Sequence, residues 1–90
     1  MNEQIANSIY NLLIARVGAS EKWRDDFVYH MLCGRTREYR FQGILGFGGK
    51  FYTDKWRVSC YPEDETIERN KAIETVNIEL KNLKERIGNV

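Results

Sequence analysis

Between residues 3 and 17 the apolar side chains Ile5, Ile9, Leu12, Leu13 and Val17 recur at three- and four-residue intervals. That spacing places them on one face of a helix, and Gly18 stands where the helix would stop. Ser20 is a candidate cap for a second helix, "EKWRDDFVYHMLC", with Trp23, Phe27 and Met31 as its buried stripe and Gly34 at its end. From Thr36 the period changes to two. Tyr39, Phe41, Gly43 and Leu45 alternate with Arg40, Gln42 and Ile44, which predicts a strand. "GFGG" then reads as a turn or bulge. "KFYT" and "WRVSCY" read as a hairpin across Asp54 and Lys55. In that hairpin Trp56, Val58 and Cys60 share one face, and Arg57, Ser59 and Tyr61 share the other.

Pro62 ends the sheet. "PEDET" opens a long helix whose acidic start suits the helix dipole, with Asp64 or Thr66 as its cap. Ile73, Val76, Leu80, Leu83 and Ile87 give that helix its seam, and Gly88 closes it. The pattern predicts one α+β domain over residues 1–90. Its order is α-α-β-β-β-α: two N-terminal helices, a small antiparallel sheet of two or three strands, and a long C-terminal helix. Ile67 and Ile78 lie off the seam, so the last helix has a second apolar surface, and a homo-oligomer is expected.

Size and composition add limits. A chain of 90 residues buries only about 60–65% of its unfolded surface, so its core is modest. No apolar run approaches the ~20 residues that span a bilayer, and "MNEQIANSIY" lacks the basic start and apolar stretch of a signal peptide. No membrane is expected, and the reading is cytoplasmic. Two cysteines, Cys33 and Cys60, are too few for a disulfide framework and read as reduced thiols in apolar surroundings.

Charge changes the picture more. The formal net charge of +1 hides a basic middle. Residues 35–61 carry Arg35, Arg37, Arg40, Lys50, Lys55 and Arg57 against Glu38 and Asp54, while both flanks are net acidic. This basic segment also holds Gly43, Gly46, Gly48 and Gly49, together with Tyr39, Phe41, Phe47, Phe51, Tyr52, Trp56 and Tyr61. Clustered glycine amides can form a nest for an anion, and aromatic faces beside Arg and Lys suit a phosphorylated base. "GFGGK" is neither a P-loop, since Phe51 follows the lysine, nor a dinucleotide fingerprint. The alternative is structural: a bulged hairpin, with Gly43 making room for Trp56 or Tyr39, and with Phe41, Phe51 and Trp56 in the core.

Catalytic groups are sparse. His30 and Cys33 are close enough on a helix to be neighbours, but nothing in the sequence orients the imidazole. Three scattered Cys and His residues do not make a zinc set, and Asp25 and Asp26 diverge on a helix. "PEDE" could hold a cation, yet acidic first turns of helices are common. No enzyme, metal or cofactor is expected.

"FQGILGFGGKF", "WRVSCYPEDET" and "IETVNIEL" together resemble short phage-encoded accessory proteins of uncharacterised function, over roughly residues 38–83. The resemblance carries no catalytic residues. It implies a protein that blocks host processes or immunity, in the host cytoplasm, either by sequestering a nucleotide signal or by blocking a protein in the manner of anti-CRISPR proteins. The resulting expectation is a non-enzymatic binder of a small phosphorylated ligand such as a cyclic nucleotide. Arg40, Gly46, Phe47, Gly48, Gly49, Lys50, Tyr52, Arg57 and Tyr61 form its site. The alternative is an inhibitor that binds a host protein, and direct nucleic-acid binding ranks behind both.

Overall fold

A computed structural model of the chain describes residues 1–44, 47–61 and 66–88. Helix α1 spans Glu3–Val17. A single 3-10 turn at Glu21–Trp23 leads into α2, Arg24–Cys33. Strands β1 (Glu38–Ile44), β2 (Phe47–Tyr52) and β3 (Arg57–Cys60) precede α3, Ile67–Gly88. The sheet is antiparallel in the order β1-β2-β3. This is the α-α-β-β-β-α arrangement that the hydrophobic periodicity predicts.

Local chemistry explains the boundaries. The Asn2 side chain caps α1 by accepting the Ile5 N–H at 2.9 Å. Gly18 and Gly34 end α1 and α2 in the left-handed conformation, where a Cβ would be strained. Thr66 starts α3, its Oγ1 accepting the Arg69 N–H at 3.1 Å. The other candidate cap, Asp64, lies outside the described residues. Ser20 makes no side-chain cap, and the chain enters α2 through the 3-10 turn instead. That entry rotates Trp23 out of the predicted stripe and leaves it 41% exposed.

One face of the sheet is the floor of the core. Tyr39 and Phe41 from β1, Phe51 from β2 and Val58 from β3 are buried against Ile9, Tyr10, Leu13 and Val17 of α1, Phe27 and Met31 of α2, and Ile73, Val76 and Leu80 of α3. The Phe27 ring is central, with centroids 4.8 Å from Tyr10, 5.2 Å from Tyr39 and 5.7 Å from Phe51. Trp56 is only half-buried, at the rim of this core rather than within it. Gly43 makes room for a helix end, not for Trp56 or Tyr39. A Cβ there would stand 2.7 Å from the Val17 carbonyl oxygen and 2.8 Å from the Gly18 Cα.

Helix α3 lies along β3, and Asn77 joins them. Its Oδ1 accepts the Val58 N–H at 2.8 Å and its Nδ2 donates to the Val58 carbonyl at 3.1 Å. The amide therefore replaces a neighbouring strand at that edge. No helix among the described residues is long and apolar enough to cross a membrane.

Candidate ligand groove and the open face of the sheet

The expected site residues lie mostly on the sheet face opposite the core. Side chains alternate along a strand, so burying Tyr39, Phe41, Phe51 and Val58 turns their neighbours outward. The register makes two cross-strand rows, Glu38–Tyr52–Arg57 and Arg40–Lys50–Ser59. A third row continues with Gln42 and Gly48, which sits beneath the Tyr61 ring. Arg40, Lys50, Tyr52, Arg57 and Tyr61 thus share one surface, as the sequence alternation requires. Arg40, Gln42, Gly48 and Tyr61 border a shallow depression of about 450 Å³ there.

The glycines have another role. Gly48 and Gly49 belong to the central strand, and neither adopts the left-handed backbone of a nest. A Cβ on Gly48 would come within 3.0 Å of the Tyr61 ring, and one on Gly49 within 2.9 Å of the Phe41 ring. Each glycine is a bare patch on which an aromatic ring lies, one on each face of the sheet. Phe47 opens β2 opposite Ile44, next to a register irregularity that begins after Gln42. Gly46 lies outside the described residues.

The cations of the open face are largely compensated. Arg40 Nε is 2.9 Å and Lys50 Nζ 3.9 Å from the Glu38 carboxylate. The Tyr52 hydroxyl and then Arg40 hold that carboxyl below the usual range, and Glu38 in turn raises the Arg40 guanidinium. Lys50 also sits over the Tyr52 and Tyr61 rings, at 5.5 and 5.9 Å from their centroids.

A different concavity carries uncompensated charge. Between β3 and α3 runs an open groove of about 830 Å³. Lys55, Arg57, Lys81 and Lys84 line it, with Glu74 the one lining carboxylate among the described residues. Among the described residues none of these four cations is paired with a carboxylate. Trp56 forms part of its wall, with Lys84 Nζ 5.8 Å from the ring centroid. Trp56 also holds the left-handed backbone, φ 55°, at the end of the β2–β3 turn. Positive φ is costly for a bulky residue and concentrates at functional positions. Asn70 and Cys60 lie side by side in the same groove, the thiol 3.8 Å from Asn70 Oδ1.

Of the residues expected from sequence, only Arg57 belongs to this groove. Lys81, Lys84 and Asn70 were missed because the segment from residue 62 onward is net acidic as a whole, and only the packing against β3 separates their face from the rest. A signal was present: Lys81 and Lys84 are three residues apart and so share one side of a helix.

His30 is committed elsewhere. Its Nδ1 is 2.8 Å from the Asp26 carbonyl and 3.2 Å from the Tyr39 hydroxyl, which donates to Asp26 Oδ2 at 2.7 Å. Burial first, and then this bond to Asp26, push the Tyr39 hydroxyl above its ordinary pKa. Arg37 Nε completes the cluster, 3.3 Å from the same carboxylate oxygen. Cys33 is exposed at the helix end, not in the apolar setting expected. No group of three or more His, Cys, Asp and Glu able to hold a metal occurs among the described residues.

The chain matches no protein-family model, no curated protein and no solved structure.

Proposed function

We propose that this protein is a non-enzymatic binder of a small phosphorylated ligand of the nucleotide class, and that it holds the ligand in the groove between β3 and α3. The observation that carries the reading is the set of four cations without a carboxylate partner among the described residues, together with one tryptophan, around that concavity. Lys and Arg side chains that no carboxylate neutralises are available to phosphate oxygens, and an indole offers a base a stacking surface. Arg57 sits at the rim between the groove and the open sheet face, so Tyr52 and Tyr61 are within the reach of a larger ligand. Sequestration of a nucleotide signal in a host cell is the role that fits a binder without catalytic groups.

The test is a thermal-shift panel of nucleoside phosphates and cyclic di- and trinucleotides on folded, ligand-free protein. A ligand at 100 times its Kd adds about 2.7 kcal/mol of stability, which for a domain of this size raises the midpoint by about 10–20 °C. Lys81→Glu with Lys84→Glu should abolish the shift, and Lys50→Glu, a change on the open face, should leave most of it. A flat panel refutes the reading. The breadth and shallowness of the sheet face favour a second reading, a protein-binding inhibitor. A flat panel together with stoichiometric capture of one host protein, insensitive to nucleotides, would put it first.

A further inference from the structure

The two edges of the sheet are finished differently. Opposed residues in antiparallel strands alternate between pairs that exchange backbone hydrogen bonds and pairs that do not. The Thr53 N–H donates to the Arg37 carbonyl at 3.1 Å, which fixes the phase of the β1–β2 ladder. Counting on from that pair, Tyr39 and Phe41 turn their peptide groups toward β2. Glu38, Arg40 and Gln42 turn theirs away from the sheet. The same count carried across β2 turns Val58 outward at the far edge, and there Asn77 takes both of its groups. At the β1 edge nothing corresponds. Among the described residues, no strand or side chain hydrogen-bonds to the N–H or C=O of Glu38, Arg40 or Gln42.

An open edge is a template for another strand, and charged side chains often serve to blunt it. Here the charges alternate in sign along the edge, which makes them self-complementary. Place a second copy of β1 antiparallel to the first, with the two-fold axis at Tyr39. The outward-facing residues then oppose one another, Glu38 against Arg40 of the other copy and Arg40 against its Glu38. An axis at Arg40 would oppose two arginines, and one at Glu38 would oppose two glutamates. Only the Tyr39 register puts unlike charges together twice. Trp23 supports the same surface. It is 41% exposed and, with Arg37, Glu38, Tyr39 and Arg40, borders a hollow of about 240 Å³ beside this edge.

We infer that a second copy of this chain pairs along β1, joining two three-stranded sheets into one six-stranded sheet. The two-fold axis runs perpendicular to the sheet, so the open faces of both copies lie on the same side. Trp23 is covered, and each Arg40 meets two carboxylates, its own Glu38 and the other copy's. The interface is therefore at the sheet edge and not at the exposed Ile67 and Ile78 of α3.

Sedimentation equilibrium over a concentration series, with hydrogen exchange read at single amides, tests the inference. Self-association should slow exchange at the Glu38, Arg40 and Gln42 amides. The Arg40 side chain is 71% exposed, so Arg40→Glu should fold while placing Glu opposite Glu twice. Its dimer should be about tenfold weaker or more. The double change Glu38→Arg with Arg40→Glu restores unlike pairs and should bring the affinity back to within about threefold of the parent. A monomer at every concentration overturns the inference. So does a dimer whose affinity ignores Arg40→Glu and whose β1 amides exchange as fast as in the monomer.

Discussion

Asn77 is the single side chain on which the docking of α3 against the sheet depends most directly, and its removal has a calculable cost. Its amide makes two hydrogen bonds to Val58, at 2.8 and 3.1 Å. The Val58 side chain is almost completely buried, so little water is available to replace them. Each bond contributes about 0.5–1.5 kcal/mol net, and a buried group left without a partner costs about 1–3 kcal/mol. Asn77→Leu keeps the volume and removes both bonds, so a loss of about 2–3 kcal/mol is expected. For a domain of this size that lowers the melting midpoint by about 10–20 °C. Asn77→Asp sharpens the test. One carboxylate oxygen still accepts the Val58 N–H, but the other faces the Val58 carbonyl with no proton to donate. The protonated carboxyl restores that donor, so folding favours it and its folded pKa lies above its unfolded value. The penalty relative to wild type is therefore full near neutral pH and shrinks as pH falls through the folded pKa. Urea unfolding followed by circular dichroism, wild type and variants side by side, measures both effects. If Asn77→Leu unfolds within about 0.5 kcal/mol of wild type, as an ordinary surface change would, the clasp does not hold the edge.

The glycines give a second contrast. Gly43→Ala drives a Cβ into the backbone at Val17 and Gly18, and overpacking of that kind costs about 1–3 kcal/mol. Gly48→Ala makes its only tight contact with the Tyr61 ring, which can swing aside, so less than about 1 kcal/mol is expected; equal losses in denaturant would refute the assignment. Tyr39→Phe removes the bond to Asp26. It should cost about 1–2 kcal/mol, discounted because the carboxylate is partly exposed and screened. The raised Tyr39 pKa adds a pH signature. Above the ordinary phenol pKa of 10.0 the unfolded chain releases the phenolic proton while the folded protein keeps it, so wild-type stability falls as pH rises. Tyr39→Phe should flatten that alkaline decline, and an unchanged slope would remove the phenol from the account.

Most of the fold is legible in the sequence because its cues are local. Gly18 and Gly34 end helices, and the period-two run from Tyr39 divides the sheet into buried and open faces. The seam Ile73–Val76–Leu80 places α3. The misreadings share a physical cause. Trp23 counts as core by spacing, but a 3-10 turn rotates it away from the face that a continuous helix would give it. The β2–β3 turn holds Trp56 at positive φ, so it never enters the strand alternation that assigned it to the core. Gly43 serves an approach between α1 and β1, residues distant in sequence, and no window of neighbouring residues contains it.

The candidate site was legible only halfway, and charge is the reason. Composition identifies residues 35–61 as basic, and the alternation places Arg40, Lys50 and Arg57 on one face. What composition cannot supply is the partner of each charge. Glu38 is one acid among several in sequence, yet in the sheet it stands between Arg40 and Lys50 and takes up both. Conversely, the segment from residue 62 onward is net acidic, although the side of its helix facing β3 brings Lys81 and Lys84 beside Lys55 and Arg57. An anion responds to local charge that is unspent, not to the tally of a segment. The proposed site is therefore the groove, although the sequence points first to the glycine-rich strand. Lys50→Glu and the Lys81→Glu, Lys84→Glu pair separate the two surfaces because each changes one and leaves the other's charges in place.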